Sequence, residues 1–98
     1  MPETEAHHHY TTRVRWTGNT GQGTAHYGGY RNDHEIGGAG KQLRVPGSSD
    51  PGFGGDASRY NPEELLVAAL AACHMMCYLH LCADAGVVVL DYVDEATG

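Results

Sequence analysis

The chain has 98 residues, enough for one domain at most. Its formal charge of −6 and its scattered Lys and Arg residues argue against a phosphate-binding surface and a nucleic-acid partner, because nucleic-acid binders usually carry a basic patch. The three cysteines lie close together in one segment, unlike the evenly spaced cysteines of a disulfide-bonded secreted mini-protein. Residues 1–10 lack the basic and apolar regions of a signal peptide. We therefore expect a cytoplasmic protein.

Residues 8–45 predict the strands of a β-sheet. The histidines at 7–9 stand at a polar terminus, where such a run is usually solvated, and we assign them no role. From 10 to 16, Tyr, Thr, Val and Trp alternate with Thr and Arg, the period-2 pattern of a half-buried strand. The GQG at 21–23 is predicted to be a turn, because no helix follows it as a phosphate-binding loop requires. Further strands are predicted at 24–30, 34–36 and 41–45, and Pro46 is expected to end the sheet.

A loop and a long helix are predicted next. Residues 46–60 are loop by composition, and a loop of this length in a small domain is more often functional than idle. Asn61 as N-cap, Pro62 in the first turn and Glu64 at the third position predict a capping box that starts a helix over about 62–85. Gly86 is expected to end this helix.

The apolar residues of this helix cover its full turn, so we expect it to be buried on all sides. With one more strand predicted at 87–93, the order of elements indicates an α+β fold in which the helix packs on one face of an antiparallel sheet. The chain is short for its own central helix, so we expect a partner subunit, a longer protein, or both.

A membrane span is the alternative for the helix, because residues 65–83 contain no Asp, Glu, Lys or Arg. His74 and His80 fall inside that stretch, and acidic rather than basic residues flank it. We therefore expect a buried helix of a soluble protein and no membrane partner.

The thiols of the helix allow several roles. At 100° per residue, Cys73, Cys77 and His80 lie within about 60° of one another, whereas Cys82 points to the opposite side. The first three could form a zinc triad, although a structural site needs a fourth ligand. Free cysteines also pack as small hydrophobes, while the alanines before Cys73 would let a substrate approach its sulfur. Spacing alone leaves these alternatives open.

The segment that begins at Asn61 resembles the signature segment of the OsmC/Ohr family, which comprises cysteine-based peroxidases that reduce organic hydroperoxides. The specific pieces are NPEEL at the start of the helix and AAC eight residues after Leu65. Upstream, WTGNTGQGT and GSSDPGF are similar to one branch of that family.

The resemblance implies an α+β fold in an intertwined homodimer, with two active sites at the subunit interface. Cys73 resembles the peroxidatic cysteine and Glu63 the glutamate that holds an activating arginine, for which Arg59 is the nearest candidate, with Arg31 and Arg44 behind it. Family members continue into further strands and a second long helix that carries the resolving cysteine. We therefore expect 1–98 to be a single, incomplete domain, about the N-terminal two-thirds of the fold.

The expected function is a thiol-dependent peroxidase without metal or cofactor. A thiolate attacks the hydroperoxide, becomes a sulfenic acid and condenses with a second thiol, and a dithiol reductant resets the enzyme. A nearby guanidinium would favour the thiolate. Glu63 and Cys73 are ten residues apart, about 15 Å along one helix, so we expect Glu63 to serve Cys73 of the partner subunit.

Two other functions remain open. The first is a non-catalytic protein that binds a metal or a thiol ligand through Cys73, Cys77 and His80. The second is an inactive family fragment that lacks the resolving cysteine.

Overall fold

The computed structural model describes residues 8–98, so His7 of the histidine run lies outside the described residues. Chain contacts divide the protein into two units, one that ends at Tyr60 and one from Asn61 to Gly98. The first unit contains β1 (Arg13–Trp16), β2 (His34–Gly37), β3 (Val45–Gly47) and a 3₁₀ turn (Pro51–Phe53); the second contains α1 (Pro62–Asp84). The predicted α+β class is confirmed.

The sheet is a three-stranded antiparallel meander in the order β1-β2-β3. Val14 lies opposite Ile36, and Ile36 in turn lies opposite Val45, so one apolar residue from each strand forms a row across the sheet. The strand predicted at 34–36 is confirmed as β2, and the strand predicted at 10–16 is present only in its second half, as β1.

The strand predicted at 24–30 is wrong, because these residues form consecutive turns and bends. The backbone N–H of Ala25 donates to the carbonyl of Gln22 at 3.2 Å, and that of Gly29 donates to the carbonyl of His26 at 3.0 Å. Gly28 has a φ of +85°, a left-handed conformation that interrupts an extended strand.

The side chain of Trp16 holds the long connection between β1 and β2, residues 17–33, in place. The indole Nε1 of Trp16 donates to the carbonyl of Arg31 at 2.7 Å, and the ring meets Tyr30 edge-on at 5.9 Å between centroids. Gly18 lies so close to this carbonyl that a Cβ at this position would overlap it. The connection is therefore closed by backbone contacts that require glycine.

The strand predicted at 41–45 is displaced, and Pro46 lies inside β3 rather than ending the sheet. Pro46 is tolerated because the side of the strand that would carry its N–H faces away from β2. On that outer side, the carbonyl of Pro46 accepts a hydrogen bond from the N–H of Tyr60 at 3.0 Å, and the N–H of Ser48 donates to the carbonyl of Tyr60 at 2.8 Å. The returning chain thus covers the outer edge of β3.

Both predicted ends of α1 are confirmed. The Asn61 side chain accepts a hydrogen bond from the N–H of Glu64 at 2.8 Å, and the Glu64 carboxylate accepts one from the N–H of Asn61 at 3.0 Å. Gly86 has a φ of +75°, and the N–H of Val87 donates to the carbonyl of Cys82 at 2.8 Å. These contacts form a capping box at the start and a Schellman motif at the end.

Residues 87–98 form no strand, so the strand predicted at 87–93 is wrong. They form an extended tail that returns along α1 instead. The ring of Tyr92 lies 5.8 Å from that of Tyr78, and Gly98 lies against the side chain of Val67. The Schellman motif at Gly86 reverses the chain and sends the tail back along the helix.

None of the residues of α1 is buried within the described chain. The expected burial of this helix by a partner subunit or a longer protein stays a prediction. By length and composition alone, the helix would also suffice to cross a membrane, a weak criterion that the core helices of soluble proteins meet as well. Packing of α1 on the sheet stays a prediction.

Candidate active site

Cys73 lies in the middle of α1 and is exposed. Cys77, one turn further on, is also exposed, whereas Cys82 is half-buried and lies about 180° around the helix from Cys73. The helix therefore presents two thiols on one side and one on the other, as the sequence predicts.

The tail divides α1 into a covered and an uncovered side. The covered side carries Val67, Tyr78 and Cys82. The uncovered side, which we call the Cys73 face, consists of apolar side chains around the thiol: Leu66, Leu70, Cys73, Met76 and Cys77. Their exposure is high, 61% for Leu66 and 64% for Leu70. A ligand or a second chain can reach the Cys73 sulfur from this side.

The covered side has its own polar contacts. A hydrogen bond with Cys82, followed by the charge of that thiol, raises the pKa of Tyr78. Removal from water, followed by the charge of Asp94, raises the pKa of Tyr92, whose hydroxyl also lies 3.4 Å from Nδ1 of His74. Cys82 is thus part of a small aromatic cluster, a role that fits a packing cysteine.

Glu63 is exposed in the first turn of α1. Its neighbour Glu64 makes the capping box, so the Glu63 carboxylate is not needed for the helix start. Ten residues separate Glu63 from Cys73, about 15 Å along the axis. The two side chains of one helix therefore do not meet.

Arg59 belongs to the first unit, where its guanidinium is bound to backbone carbonyls. Nε donates to the carbonyl of Gly47 at 2.9 Å and Nη2 donates to the carbonyl of His34 at 2.8 Å. The half-buried side chain ties the end of the loop to β2 and β3. Its predicted role next to a thiol stays a prediction.

The loop over 46–60 is organised around Ser48, which sequence reasoning missed. Ser48 is 1% exposed; its Oγ donates to the Asp33 carboxylate at 3.0 Å and accepts from the N–H of Asp56 at 3.2 Å. Hydrogen bonds from the hydroxyl and then the N–H of Ser58 lower the pKa of Asp56. The turn-forming residues of this segment predict a loop, but they do not indicate which of its hydroxyl groups is buried.

The basic residues are not scattered, contrary to the expectation from the sequence. Four of the six Lys and Arg residues line one groove of about 680 Å³ in the first unit: Arg13, Arg15, Lys41 and Arg44. The alternation of Arg13 and Arg15 along one strand was the available signal. None of Cys73, Glu63 and Arg59 lines this groove.

The proposed zinc triad finds no support in the geometry. Among residues 8–98, no group of three or more His, Cys, Asp or Glu side chains is placed to hold a metal ion. Nε2 of His80 lies 3.3 Å from the carboxylate of Asp84, its neighbour one turn along the helix. His80 therefore has a partner other than the two thiols.

Comparison with known proteins gives one match. Residues 54–98 match the family described as OsmC-like protein, a range that includes all of α1 and the tail. No curated protein and no solved structure matches the chain. The matched family includes peroxidases, and a three-stranded antiparallel sheet with one helix is consistent with its fold. The resemblance expected from the sequence is thus confirmed over residues 54–98, the segment that matches the OsmC-like family.

Proposed function

We propose that the protein is a thiol-dependent peroxidase that reduces organic hydroperoxides at Cys73. The observation that carries this proposal is the exposed Cys73 thiol, in the middle of the segment that matches the family. The side chains around the thiol are apolar, so they favour a peroxide with an apolar organic group over a charged ligand.

The reaction begins when the Cys73 thiolate attacks the distal oxygen of the hydroperoxide. The O–O bond breaks, the alkoxide takes up a proton and leaves as an alcohol, and the sulfur keeps one oxygen as a sulfenic acid. A second thiol then condenses with the sulfenic acid, and water is released as the disulfide forms. A dithiol reductant of the cytoplasm returns both sulfurs to thiols.

Glu63 and an arginine together favour the thiolate form of Cys73. A guanidinium next to the sulfur favours the anionic form, and the Glu63 carboxylate orients that guanidinium through a bidentate pair. Because Glu63 and Cys73 are about 15 Å apart on one helix, the pair acts between two subunits. Glu63 then serves Cys73 of the partner subunit.

A second copy of the chain is the proposed cover of the Cys73 face. Antiparallel packing of two α1 helices would bring the start of one helix beside the middle of the other. It would also remove exposed side chains such as Leu66, Leu70 and Met76 from water. The homodimer is therefore the proposed active form.

Oxidation of the intact protein tests the proposal. Brief treatment with tert-butyl hydroperoxide, followed by trapping of sulfenic acid and peptide mass mapping, is expected to add one oxygen at Cys73 first. Cys73→Ser should abolish this rapid oxidation, and Cys77→Ser is the matched control that should retain it. Equal oxidation of the three cysteines would contradict the proposal.

The same peptide mass maps also show which disulfide bonds form. Cys73 and Cys77 are one turn apart, and the directions of their Cβ atoms on a helix do not suit a bridge. We expect no stable bond between these two thiols. A dominant Cys73–Cys77 link would show that the pair, rather than Cys73 alone, is the redox site.

A further inference from the structure

The groove of about 680 Å³ in the first unit has an unusual composition for an acidic protein. Four of the six basic side chains line it, and among residues 8–98 Glu35 is the one acidic residue of the lining. Four cations and one carboxylate give the lining a formal charge of +3. The whole chain carries −6, so the positive charge is concentrated at this place.

Strand register brings the two arginines of β1 together. Arg13 lies opposite Gly37 and Arg15 lies opposite Glu35 in the antiparallel pair of β1 and β2. Residues directly opposite each other share one face of the sheet. Both guanidinium groups therefore belong to the same face as Glu35.

Two glycines leave the space between the cations. A Cβ at Gly37 would lie 3.6 Å from Cγ of Arg44, and a Cβ at Gly38 would lie 3.4 Å from Cγ of Lys41. The absence of side chains at these positions keeps the floor of the groove open. The stems of Arg44 and Lys41 stand beside it.

The cations outnumber their partners. Nη1 of Arg44 lies 3.6 Å from the Glu35 carboxylate. Within the described part of the chain, Arg13, Arg15 and Lys41 have no acidic partner within salt-bridge distance. Their charges are therefore available to a ligand.

We propose that this groove binds a small molecule that carries two phosphate groups. One phosphate group carries about −1.5 to −2 near pH 7, so two of them match the +3 of the lining. Arginine presents a planar fork of donors that suits phosphate oxygens. The volume lies within the range of about 300–1,000 Å³ that is usual for small-molecule sites. The proposal is independent of the peroxidase, since Cys73 does not line the groove.

Calorimetric titration of the intact protein with inorganic pyrophosphate tests the proposal. The double variant Arg13→Gln/Arg15→Gln is expected to bind at least about tenfold more weakly, since it loses two charge-assisted contacts. Lys41→Gln, a loop change outside the strands, should also weaken binding and keeps the test valid if the double variant does not fold. Arg31→Gln removes the same charge from an exposed position outside the groove and should change the affinity less than about twofold.

A change of opposite sign sharpens the test. Glu35→Gln removes the Glu35 carboxylate from the lining and is expected to tighten pyrophosphate binding about threefold. A general loss of structure would weaken binding instead.

Three results would overturn the proposal. They are no saturable binding of pyrophosphate, an equal loss of affinity in Arg31→Gln, and binding of inorganic phosphate as tight as that of pyrophosphate. Tighter binding of a single-stranded oligonucleotide, with the same dependence on Arg13 and Arg15, would identify a nucleic acid in place of a small molecule.

Discussion

Arg59 donates a hydrogen bond from Nη2 to the carbonyl oxygen of His34, 25 residues earlier in the chain, at 2.8 Å. A second bond from Nε reaches the carbonyl of Gly47 at 2.9 Å. One side chain thus joins the last residues of the loop to two neighbouring strands. Lysine has the same charge but cannot reproduce this fork of donors.

Arg59→Lys is expected to lower the free energy of unfolding by about 1–2 kcal/mol, because two hydrogen bonds from a charged, half-buried donor are lost. Urea denaturation of the variant and the native protein measures the difference. Arg31→Lys, at an exposed arginine, is the control and should change the free energy by less than about 0.5 kcal/mol.

The same variant separates two roles of Arg59. If Arg59 only holds the loop, Cys73 should oxidise at the native rate in Arg59→Lys once the protein is folded. A large loss of oxidation rate at unchanged stability would contradict the structural role and favour Arg59 as the activating arginine.

Ser48→Ala is expected to cost about 1–3 kcal/mol of unfolding free energy, since it leaves the Asp33 carboxylate and the N–H of Asp56 without their shared partner. Thermal and urea unfolding measure the effect. The neighbouring Ser49→Ala is a matched control, because it removes only an exposed hydrogen bond from Asn32. Equal effects of the two substitutions would contradict the central role of Ser48.

The lowered pKa of Asp56 predicts that the first unit loses some stability in acid. The pKa of this carboxyl is lowered in the folded protein, so its contribution to stability is present above the unfolded value of about 3.9 and is lost as the pH falls through the lower folded value. Ser58→Ala removes the hydroxyl hydrogen bond that is the largest cause and should raise the pKa of Asp56. Titration of the carboxyl carbon by NMR measures the shift. An unchanged titration curve would show that the Ser58 hydroxyl has no part in it.

The parts of the fold that depend on local chemistry could be predicted from the sequence. Asn61, Glu64 and Gly86 define the ends of α1 through contacts within a few residues, and both ends are where the sequence indicates. The segment predicted as a strand at 24–30 forms consecutive turns around Gly28 instead, so it offers no extended chain for pairing. Pairing is a long-range property that local patterns do not contain.

The candidate site was predictable to a similar extent. The helical period places Cys73 and Cys77 together and Cys82 opposite, and the structure agrees. The partners of Arg59 lie 12 and 25 residues away in sequence, and no spacing rule indicates them. The groove could not be predicted from the sequence for the same reason. Lys41 and Arg44 line the same groove as Arg13 only because of the register of the sheet.

The shared active site can be tested by mixing two inactive variants. Glu63→Ala and Cys73→Ser are each expected to lose most peroxidase activity. After subunit exchange, one site of the mixed dimer has both residues intact, so up to about half of the activity per site should return. Activity with an organic hydroperoxide and a dithiol reductant is the measurement, and mass spectrometry verifies exchange. No recovery after verified exchange would contradict the arrangement.

The position of Tyr60 beside β3 limits how the sheet can grow. Open sheet edges recruit further strands, and a sheet with two open edges can extend without end into fibres. Here the carbonyl of Pro46 and the N–H of Ser48 already bind the backbone of Tyr60, so within the described chain the outer side of β1 is the remaining edge. Edge-to-edge association of the described part of the first unit is therefore confined to β1, because Tyr60 already occupies the outward backbone groups of Pro46 and Ser48.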